Sequence, residues 1–356
     1  MNKFDYMEKY GYEQLVYFYD KTTGLKGLTC IHDTTLGPAL GGTRLWNYAS
    51  EEEAVLDCLR LARGMTFKAA AAGLNLGGGK TVLIGDASKV KSEAYFRALG
   101  RFVQSLNGRY ITAEDVNTNT KDMDYVSMET DHVVGLEGKS GNPSPITALG
   151  VYHGIRASLK TAFGTDDVSK FSFAVQGAGQ TGYYLIHKLV EMKAKKIYFS
   201  EINPSHIERM KTEHPEVEFV DPDKIYELDV DVFSPCAFGA ILNDVTIPKI
   251  KAKVIAGSAN NALFDEDKHG PMIKDRGILY APDFVINAGG LINVYHELHG
   301  YNAERAIRDT EKIYDRLIEI FRISKEQDIH TQEAAKIYAK NRITTINLLH
   351  ANYIPR

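Results

Sequence analysis

The sequence predicts an α/β protein of two domains separated by a cleft, and three observations lead to that fold class. The chain has 356 residues, which is long enough for two domains. From about residue 170 onward, short apolar segments alternate with helical patterns, as is typical of a parallel sheet covered by helices. A segment rich in glycine, serine and proline, 138–150, precedes this region, so we expect the domain boundary there.

The N-terminal segment, residues 1–140, is predicted to be an independent α/β domain. Ser50 begins a capping box, and the apolar residues that follow recur at the spacing of an amphipathic helix. Apolar runs typical of strands and a second helical pattern come later in the segment. The predicted elements are a helix at 50–67, a strand at 81–85, a helix at about 90–106 and a strand at 109–113.

Three consecutive glycines, 77–79, come directly before Lys80 and are interpreted as a loop. A Walker-type phosphate loop is disfavoured, because Leu74 stands where its first glycine is required. Two interpretations stay open on residue type alone. The run is a plain turn with a solvated lysine, or it is a site where substrate approaches bare backbone beside a reactive Lys80.

The second domain, predicted for residues 141–329, begins with a long helix at about 145–163. Two charged helical patterns fill about 303–350, and the helices at about 330–356 are expected to join the first domain. Six apolar runs between these helices are predicted to be strands. They lie at 170–177, 195–202, 217–220, 229–236, 253–259 and 277–282.

A glycine fingerprint follows the first of these strands and opens an amphipathic helix. In this context GxGxxG is typical of a Rossmann-type, doubly wound dinucleotide-binding domain, because the glycines allow a tight turn, close pyrophosphate approach and close helix–strand packing. Glu201, at the end of the next strand, is placed to bind the adenosine ribose and to repel a 2′-phosphate, which favours NAD over NADP. A structural turn and another dinucleotide such as FAD stay as alternatives. The predicted cofactor-binding residues are Gly177, Ala178, Gly179, Gln180, Thr181, Gly182 and Glu201.

Composition excludes several classes of partner. The net charge is −4 and no long basic run occurs, so nucleic acid and anionic membranes are not expected to be partners. The first residues lack the apolar core expected of a signal peptide, and no run of about 18 apolar residues is present. Three scattered cysteines, Cys30, Cys58 and Cys236, indicate neither a disulfide framework nor a metal site and fit a cytoplasmic protein.

Six ordered blocks resemble one family. They include "LARGMTFKAAAAGLNLGGGKTVLIGD" (61–86), "GRYITAEDVNT" (108–118) and "APDFVINAGGLINV" (281–294). These blocks are similar to the Glu/Leu/Phe/Val superfamily of amino-acid dehydrogenases, most of all to its leucine dehydrogenase branch. The resemblance implies reversible, NAD-dependent oxidative deamination of an L-amino acid to a 2-oxo acid and ammonia. It also implies a homo-oligomer.

The resemblance implies roles for residues of the first domain. Lys68 matches the lysine that pairs with the substrate carboxylate, Lys80 the catalytic lysine and Asp115 the catalytic aspartate. A lysine can polarise water when burial or a neighbouring cation weakens its hold on its proton, and a nearby Lys68 is expected to supply that cation. The remaining matched positions are Gly41 and Gly42 near the substrate, Asn261 near its amine and Asn260 near the nicotinamide.

Residue type alone also allows purely structural roles for the same side chains. Lys68 could only complement a helix dipole, Asp115 could be a helix N-cap, and Asn260–Asn261 could be turn formers. The resemblance is what favours the functional roles.

Four apolar residues are implied to surround the substrate side chain. None offers a charge, so an aliphatic chain is favoured and leucine, isoleucine and valine are all expected to be accepted. Leu291 and Tyr295 are bulkier than expected for a leucine dehydrogenase. Either both narrow the pocket and favour smaller chains such as valine, or Tyr295 stacks on an aromatic substrate, or Tyr295 points into the core. Phenylalanine or tryptophan deamination is therefore the alternative activity, and a non-catalytic binding protein is a weaker one. The wall residues are Leu40, Ala113, Leu291 and Val294.

Overall fold

A computed structural model of the chain describes residues 2–237 and 239–349. The described chain divides into two compact units. The first comprises the chain up to Gly141, Val294–Asn302 and the chain from Ala339 onward, and the second comprises Asn142–Asn293 and Ala303–Tyr338. Each unit contains its own sheet.

The N-terminal part of the first unit alternates strands and helices. Ser50 accepts a hydrogen bond from the Glu53 N–H and so caps the long helix, which extends to Ala71. The Glu53 side chain accepts from the Ala49 N–H and not from that of Ser50, so only the N-cap half of the predicted capping box is present. Its elements are α1 (Lys3–Tyr10), β1 (Gln14–Tyr19), β2 (Lys26–Asp33), β3 (Ala39–Trp46), α2 (Glu51–Ala71), β4 (Gly77–Ile84), α3 (Ala87–Val90), α4 (Glu93–Ser105), β5 (Tyr110–Glu114) and α5 (Thr120–Ser127).

The sheet of the first unit has five strands in the order β1-β2-β4-β3-β5. β1, β2 and β4 pair antiparallel, whereas β3 pairs parallel with both β4 and β5. The connection from β3 through α2 to β4 is therefore a parallel crossover. α2 packs against β2 and β4 with an apolar face that includes Val55, Cys58 and Leu59, and α4 belongs to a second core cluster.

The rest of the chain supplies further helices and six strands within residues 142–237 and 239–349. These elements are α6 (Ser144–Phe163), β6 (Ser172–Gln176), α7 (Gln180–Glu191), β7 (Lys196–Ser200), α8 (Pro204–Glu213), β8 (Glu218–Phe219), β9 (Val232–Pro235), β10 (Val254–Ile255), α9 (Glu266–Asp275), β11 (Leu279–Tyr280), α10 (Asp283–Ile286), α11 (Gly289–Tyr295), α12 (Ala303–Glu311), α13 (Ile313–Gln327) and α14 (Thr331–Leu349), with short 3₁₀ turns between some of them.

The sheet of the second unit is parallel throughout, in the order β8-β7-β6-β9-β10-β11. In order of appearance this is 3-2-1-4-5-6, the strand order of a Rossmann domain. The predicted doubly wound fold is confirmed.

Several sequence-based boundaries were wrong. β1, β2 and β3 were not predicted. β8, β10 and β11 each have two residues, although longer strands were expected. Residues 303–349 form three helices, whereas two were expected for about 303–350. The glycines at 77–79 form the start of a strand, β4, and not a loop.

Candidate active site

The strand register of the first sheet brings the predicted catalytic residues to one face. Leu40 pairs with Gly78 and Arg44 with Val82 across β3 and β4, and Gly42 pairs with Ala113 across β3 and β5. Because residues alternate between the two faces along a strand, Leu40, Gly42, Arg44, Lys80 and Ala113 share the face on which Val82 packs against α2. Asp115 follows β5 directly.

The glycine run explains how α2 lies so close to this face. A Cβ at Gly78 would lie 2.1 Å from the backbone nitrogen of Thr66, which is near the end of α2. Bare backbone is therefore required for helix packing at Gly78, and the expectation that the run is a loop was wrong. The close packing holds α2 at Thr66 against the strand that carries Lys80, and Lys68, two residues later in the same helix, is half-buried.

Lys80 is buried, with its ammonium nitrogen 3.0 Å from Oδ2 of Asp115. The side chain is only 5% exposed, so water stabilises its charge poorly and the carboxylate becomes its counter-ion. The sequence-based expectation gave Lys80 a neighbouring ammonium group as its main electrostatic influence. Its ion pair is with the carboxylate of Asp115, and a further cation on that carboxylate is Arg44.

Asp115 accepts from two cations through a single oxygen. Arg44 Nε lies 2.9 Å from Oδ2, the same atom that pairs with Lys80. Burial would raise the pKa of Asp115, but the charges and hydrogen bonds of Lys80 and Arg44 outweigh burial and lower this pKa to about 2. Asp115 is therefore a carboxylate at neutral pH. Its backbone N–H donates to Thr118 Oγ1, which fixes the chain where it leaves β5.

Arg44, Asp57 and Tyr48 form a network that sequence reasoning missed. Arg44 Nη1 lies 3.0 Å from Oδ2 of Asp57 on α2, and the Tyr48 hydroxyl donates to the same Asp57 oxygen at 2.5 Å. Arg44 therefore bridges two carboxylates, Asp57 and Asp115. If "ALGGTRLW" had been recognised as a strand, its period-2 alternation would have placed Arg44 on the same face as Leu40 and Gly42.

The apolar wall positions in the first unit lie beside this cluster. Leu40 is 2% exposed and Ala113 is 9% exposed, so both contribute buried apolar surface. Gly41 and Gly42 lie between Leu40 and Arg44 in β3, where their backbone belongs to the sheet. The Tyr110 hydroxyl donates to the carbonyl oxygen of Gly41 at 2.6 Å.

The predicted cofactor loop of the second unit has the geometry that a pyrophosphate requires. Gly177 has φ of 93°, and a Cβ at Gly182 would lie 1.9 Å from the Gly177 carbonyl oxygen, so the turn and the helix contact both need glycine. A Cβ at Gly179 would meet no atom within 4 Å, so space is open there. α7 begins at Gln180 and Thr181 without a side-chain cap, which leaves its N-terminal N–H groups for a ligand. These residues fit a dinucleotide.

Glu201 lies where β7 ends, next to the same loop. Its Oε2 accepts from the Ala178 N–H at 2.9 Å, and its Oε1 accepts from the N–H groups of Ile202 and Asn203. Burial would raise the pKa of Glu201, but these backbone hydrogen bonds lower it. The site therefore holds a fixed negative charge beside the glycine loop.

Asn260 and Asn261 follow β10, and both are exposed. Asn261 has φ of 48°, and Asn260 Oδ1 accepts from the Nδ2 of Asn287 at 2.8 Å. Asp283 accepts from the Ala262 N–H, which holds the end of this turn. Asn287 was not predicted; it is buried and organises the turn through Asn260.

The other two wall positions lie in α11. Leu291 is buried and Val294 is half-buried. The Tyr295 ring packs edge-to-face against the rings of His296 and His299, at 5.8 and 5.0 Å between centroids. Tyr295 thus has aromatic partners within its own segment, which favours a packing role for this side chain.

Comparison with known proteins decides the family. The description "Glu/Leu/Phe/Val dehydrogenase, dimerisation domain" matches residues 13–132, and "Glutamate/Leucine/Phenylalanine/Valine dehydrogenase" matches residues 138–354. The chain belongs to this family. It is 55% identical to leucine dehydrogenase of Thermoactinomyces intermedius, over 99% of this chain and 97% of that one. It is 54% identical to leucine dehydrogenase of Bacillus subtilis, over 99% of this chain and 97% of that one.

Structural comparison agrees with the family assignment. The crystal structure of L-tryptophan dehydrogenase from Nostoc punctiforme superposes with a TM-score of 0.87 at 45% identity, covering 97% of this chain and 99% of that one. The chain is an amino-acid dehydrogenase of an NAD(P)-dependent family. Within residues 2–237 and 239–349, no helix is long and apolar enough to cross a membrane.

Proposed function

We propose that this dehydrogenase catalyses the reversible, NAD-dependent oxidative deamination of branched-chain L-amino acids, with leucine as the main substrate. The products are the 2-oxo acid and ammonia. The observation that carries the proposal is the buried Lys80–Asp115 pair, in a chain 55% identical to a leucine dehydrogenase over nearly its whole length.

The roles of the substrate-binding residues follow from charge and polarity. Lys68 provides the cation for the substrate carboxylate. Leu40 and Ala113 offer apolar surface without charge, which suits an aliphatic side chain and disfavours glutamate. Leu291 and Val294 are proposed as further apolar residues for the substrate side chain, and Gly41, Gly42 and Asn261 as residues for its polar end.

Lys80 and Asp115 are the proposed catalytic residues. Lys80, once it has lost its proton, takes a proton from the water that attacks the substrate imine. Loss of that proton removes one of the two cations that lower the pKa of Asp115. Asp115 therefore becomes a stronger base in the same state, ready to exchange a proton with the substrate nitrogen.

The second unit is proposed to hold the dinucleotide. The glycine loop, Gly177–Gly182, and the N-terminus of α7 are suited to the pyrophosphate, with Asn260 near the nicotinamide. The carboxylate of Glu201 supports NAD over NADP, because it would repel a 2′-phosphate. NAD, when bound, supplies the acceptor for the hydride that leaves the α-carbon.

Two further proposals concern assembly and location. The match of residues 13–132 to a dimerisation domain supports a homo-oligomer. The composition and the three unpaired cysteines support a cytoplasmic location.

A steady-state substrate panel tests the function. We expect NADH formation, followed by its absorbance, with the highest kcat/KM for leucine and values within about 200-fold of it for valine and isoleucine. A higher value for phenylalanine or tryptophan would replace the substrate with an aromatic one. NAD binding without NADH formation from any L-amino acid would overturn the proposal.

A further inference from the structure

The carboxylate of Asp115 is held asymmetrically. Arg44 and Lys80 both approach Oδ2, at 2.9 and 3.0 Å. No described residue forms a hydrogen bond with the other oxygen, Oδ1. One oxygen is thus fixed by two cations, and the second is left for proton exchange.

Arg44 is itself fixed by a second carboxylate. Asp57 on α2 binds Nη1 of Arg44 at 3.0 Å, and Tyr48 holds Asp57 through the same oxygen. The guanidinium is therefore locked at two ends, and its side chain is only 23% exposed. The planar guanidinium of arginine can contact two carboxylates in fixed directions, whereas the single ammonium of lysine cannot.

We propose that Arg44 is a positioning residue for the Lys80–Asp115 pair: it orients Asp115 so that Oδ1 is available, and its fixed charge lowers the pH at which the pair gives up a proton. This inference rests on the proposed function, because it assigns Arg44 a role through the two proposed catalytic residues. Arg44 itself does not need to touch the substrate.

The charges around the Lys80–Asp115 pair determine whether the pH at which it loses a proton rises or falls. Asp57 opposes Arg44, because its negative charge makes loss of a proton from the pair harder. The remaining neighbours either lie on the same strands or belong to α2. The titratable and charged groups around the pair are Arg44 and Tyr48 from the β3 segment, Asp57 and Cys58 from α2, and Tyr110 and Glu114 from β5.

The test is the pH dependence of kcat/KM for leucine in an Arg44 series. Arg44→Met removes a positive charge, so the pair holds its proton more tightly and the acidic limb moves to higher pH. A charge within about 4–6 Å of an ionisable group typically changes its pKa by about one to three pH units. Asp57 cancels part of Arg44's charge, so we expect a shift of about one unit, at the low end of that range, together with a fall in kcat.

Two further variants separate charge from orientation. Arg44→Lys keeps the positive charge but lacks the planar guanidinium that contacts both carboxylates. The acidic limb of its pH profile should therefore stay within about 0.3 pH units of wild type, while kcat falls several-fold. Asp57→Asn removes the opposing negative charge, so its limb should move to lower pH. General destabilisation would not move the limb in opposite directions in Arg44→Met and Asp57→Asn.

Controls keep the test decisive. Arg97→Met is a matched control, because Arg97 also binds two carboxylates, Glu93 and Glu129, but on an exposed helix face. It should keep the wild-type profile. Thermal midpoints and NADH titration report whether each variant folds. If Arg44→Met does not fold, Arg44→Lys and Asp57→Asn still give the test.

Lys80→Ala, measured in the same assay, separates the two levels of failure. Near-wild-type turnover in Lys80→Ala would overturn the proposed catalytic roles. A collapse in Lys80→Ala, together with an unshifted pH limb in Arg44→Met and Asp57→Asn, would overturn only the role of Arg44. Opposite shifts in those two variants, with the limb retained in Arg44→Lys, would support it.

Discussion

Replacing Asp115 by asparagine should destabilise the first unit, because the change leaves Lys80 charged and buried without its counter-ion. Breaking a buried ion pair typically costs about 3–5 kcal/mol. The pKa of Asp115 gives a second measure. It falls from 3.8 to about 2 on folding, which corresponds to about 2 kcal/mol of stabilisation at neutral pH.

The smaller value is the better guide for this substitution. An asparagine at this position would keep the shape of the side chain and one acceptor oxygen, and the native Asp115 side chain is 25% exposed. We therefore expect a loss of about 2–3 kcal/mol at pH 7, measured by urea unfolding followed by circular dichroism. Asp86→Asn is the control, because the Asp86 side chain is 39% exposed and asparagine preserves its capping role.

The same variant makes a prediction about pH. The pKa of Asp115 is lower in the folded than in the unfolded protein, so its stabilisation is complete above the unfolded value and is lost as the pH falls through the folded value. The difference in stability between wild type and Asp115→Asn should shrink between about pH 4 and about pH 2. A difference below about 0.5 kcal/mol at pH 7, or one that does not change at low pH, would refute a desolvated Lys80–Asp115 pair.

Two further predictions concern the proposed cofactor site. Glu201→Ala should weaken NAD binding and reduce the preference for NAD over NADP, measured as the ratio of kcat/KM values for the two cofactors; an unchanged ratio would remove Glu201 from the ribose site. Gly182→Ala should lower the thermal midpoint, because its Cβ would lie 1.9 Å from a carbonyl oxygen. Gly179→Ala, which has open space around its Cβ, should keep the midpoint and lose NADH affinity, and equal midpoints for both variants would contradict this geometry.

Short-range sequence patterns correctly predicted the helix starts that depend only on neighbouring residues. The N-cap at Ser50 and the glycine fingerprint at 177–182 have short-range causes, and both mark real helix starts. β3 was missed because two glycines interrupt its apolar residues and weaken its strand propensity. The run at 77–79 was taken for a loop because its glycines serve the packing of α2, which is a tertiary requirement.

The same distinction applies to the candidate site. The resemblance supplied Lys80 and Asp115, whereas nothing in local spacing joins Arg44 to Asp115, 71 residues later. Their contact depends on β3 and β5 lying side by side. The sequence contained no local signal that the carboxylate of Asp115 would pair with Lys80 in the folded chain.

The most direct measurement is the rate of NADH formation from leucine and NAD, with wild type and Lys80→Ala compared at equal NAD saturation. We expect rapid turnover in the wild type and a loss of several orders of magnitude in the variant, with NAD affinity nearly unchanged. Turnover within a few-fold of wild type in Lys80→Ala would contradict the account, since the buried lysine would then play no part in the chemistry.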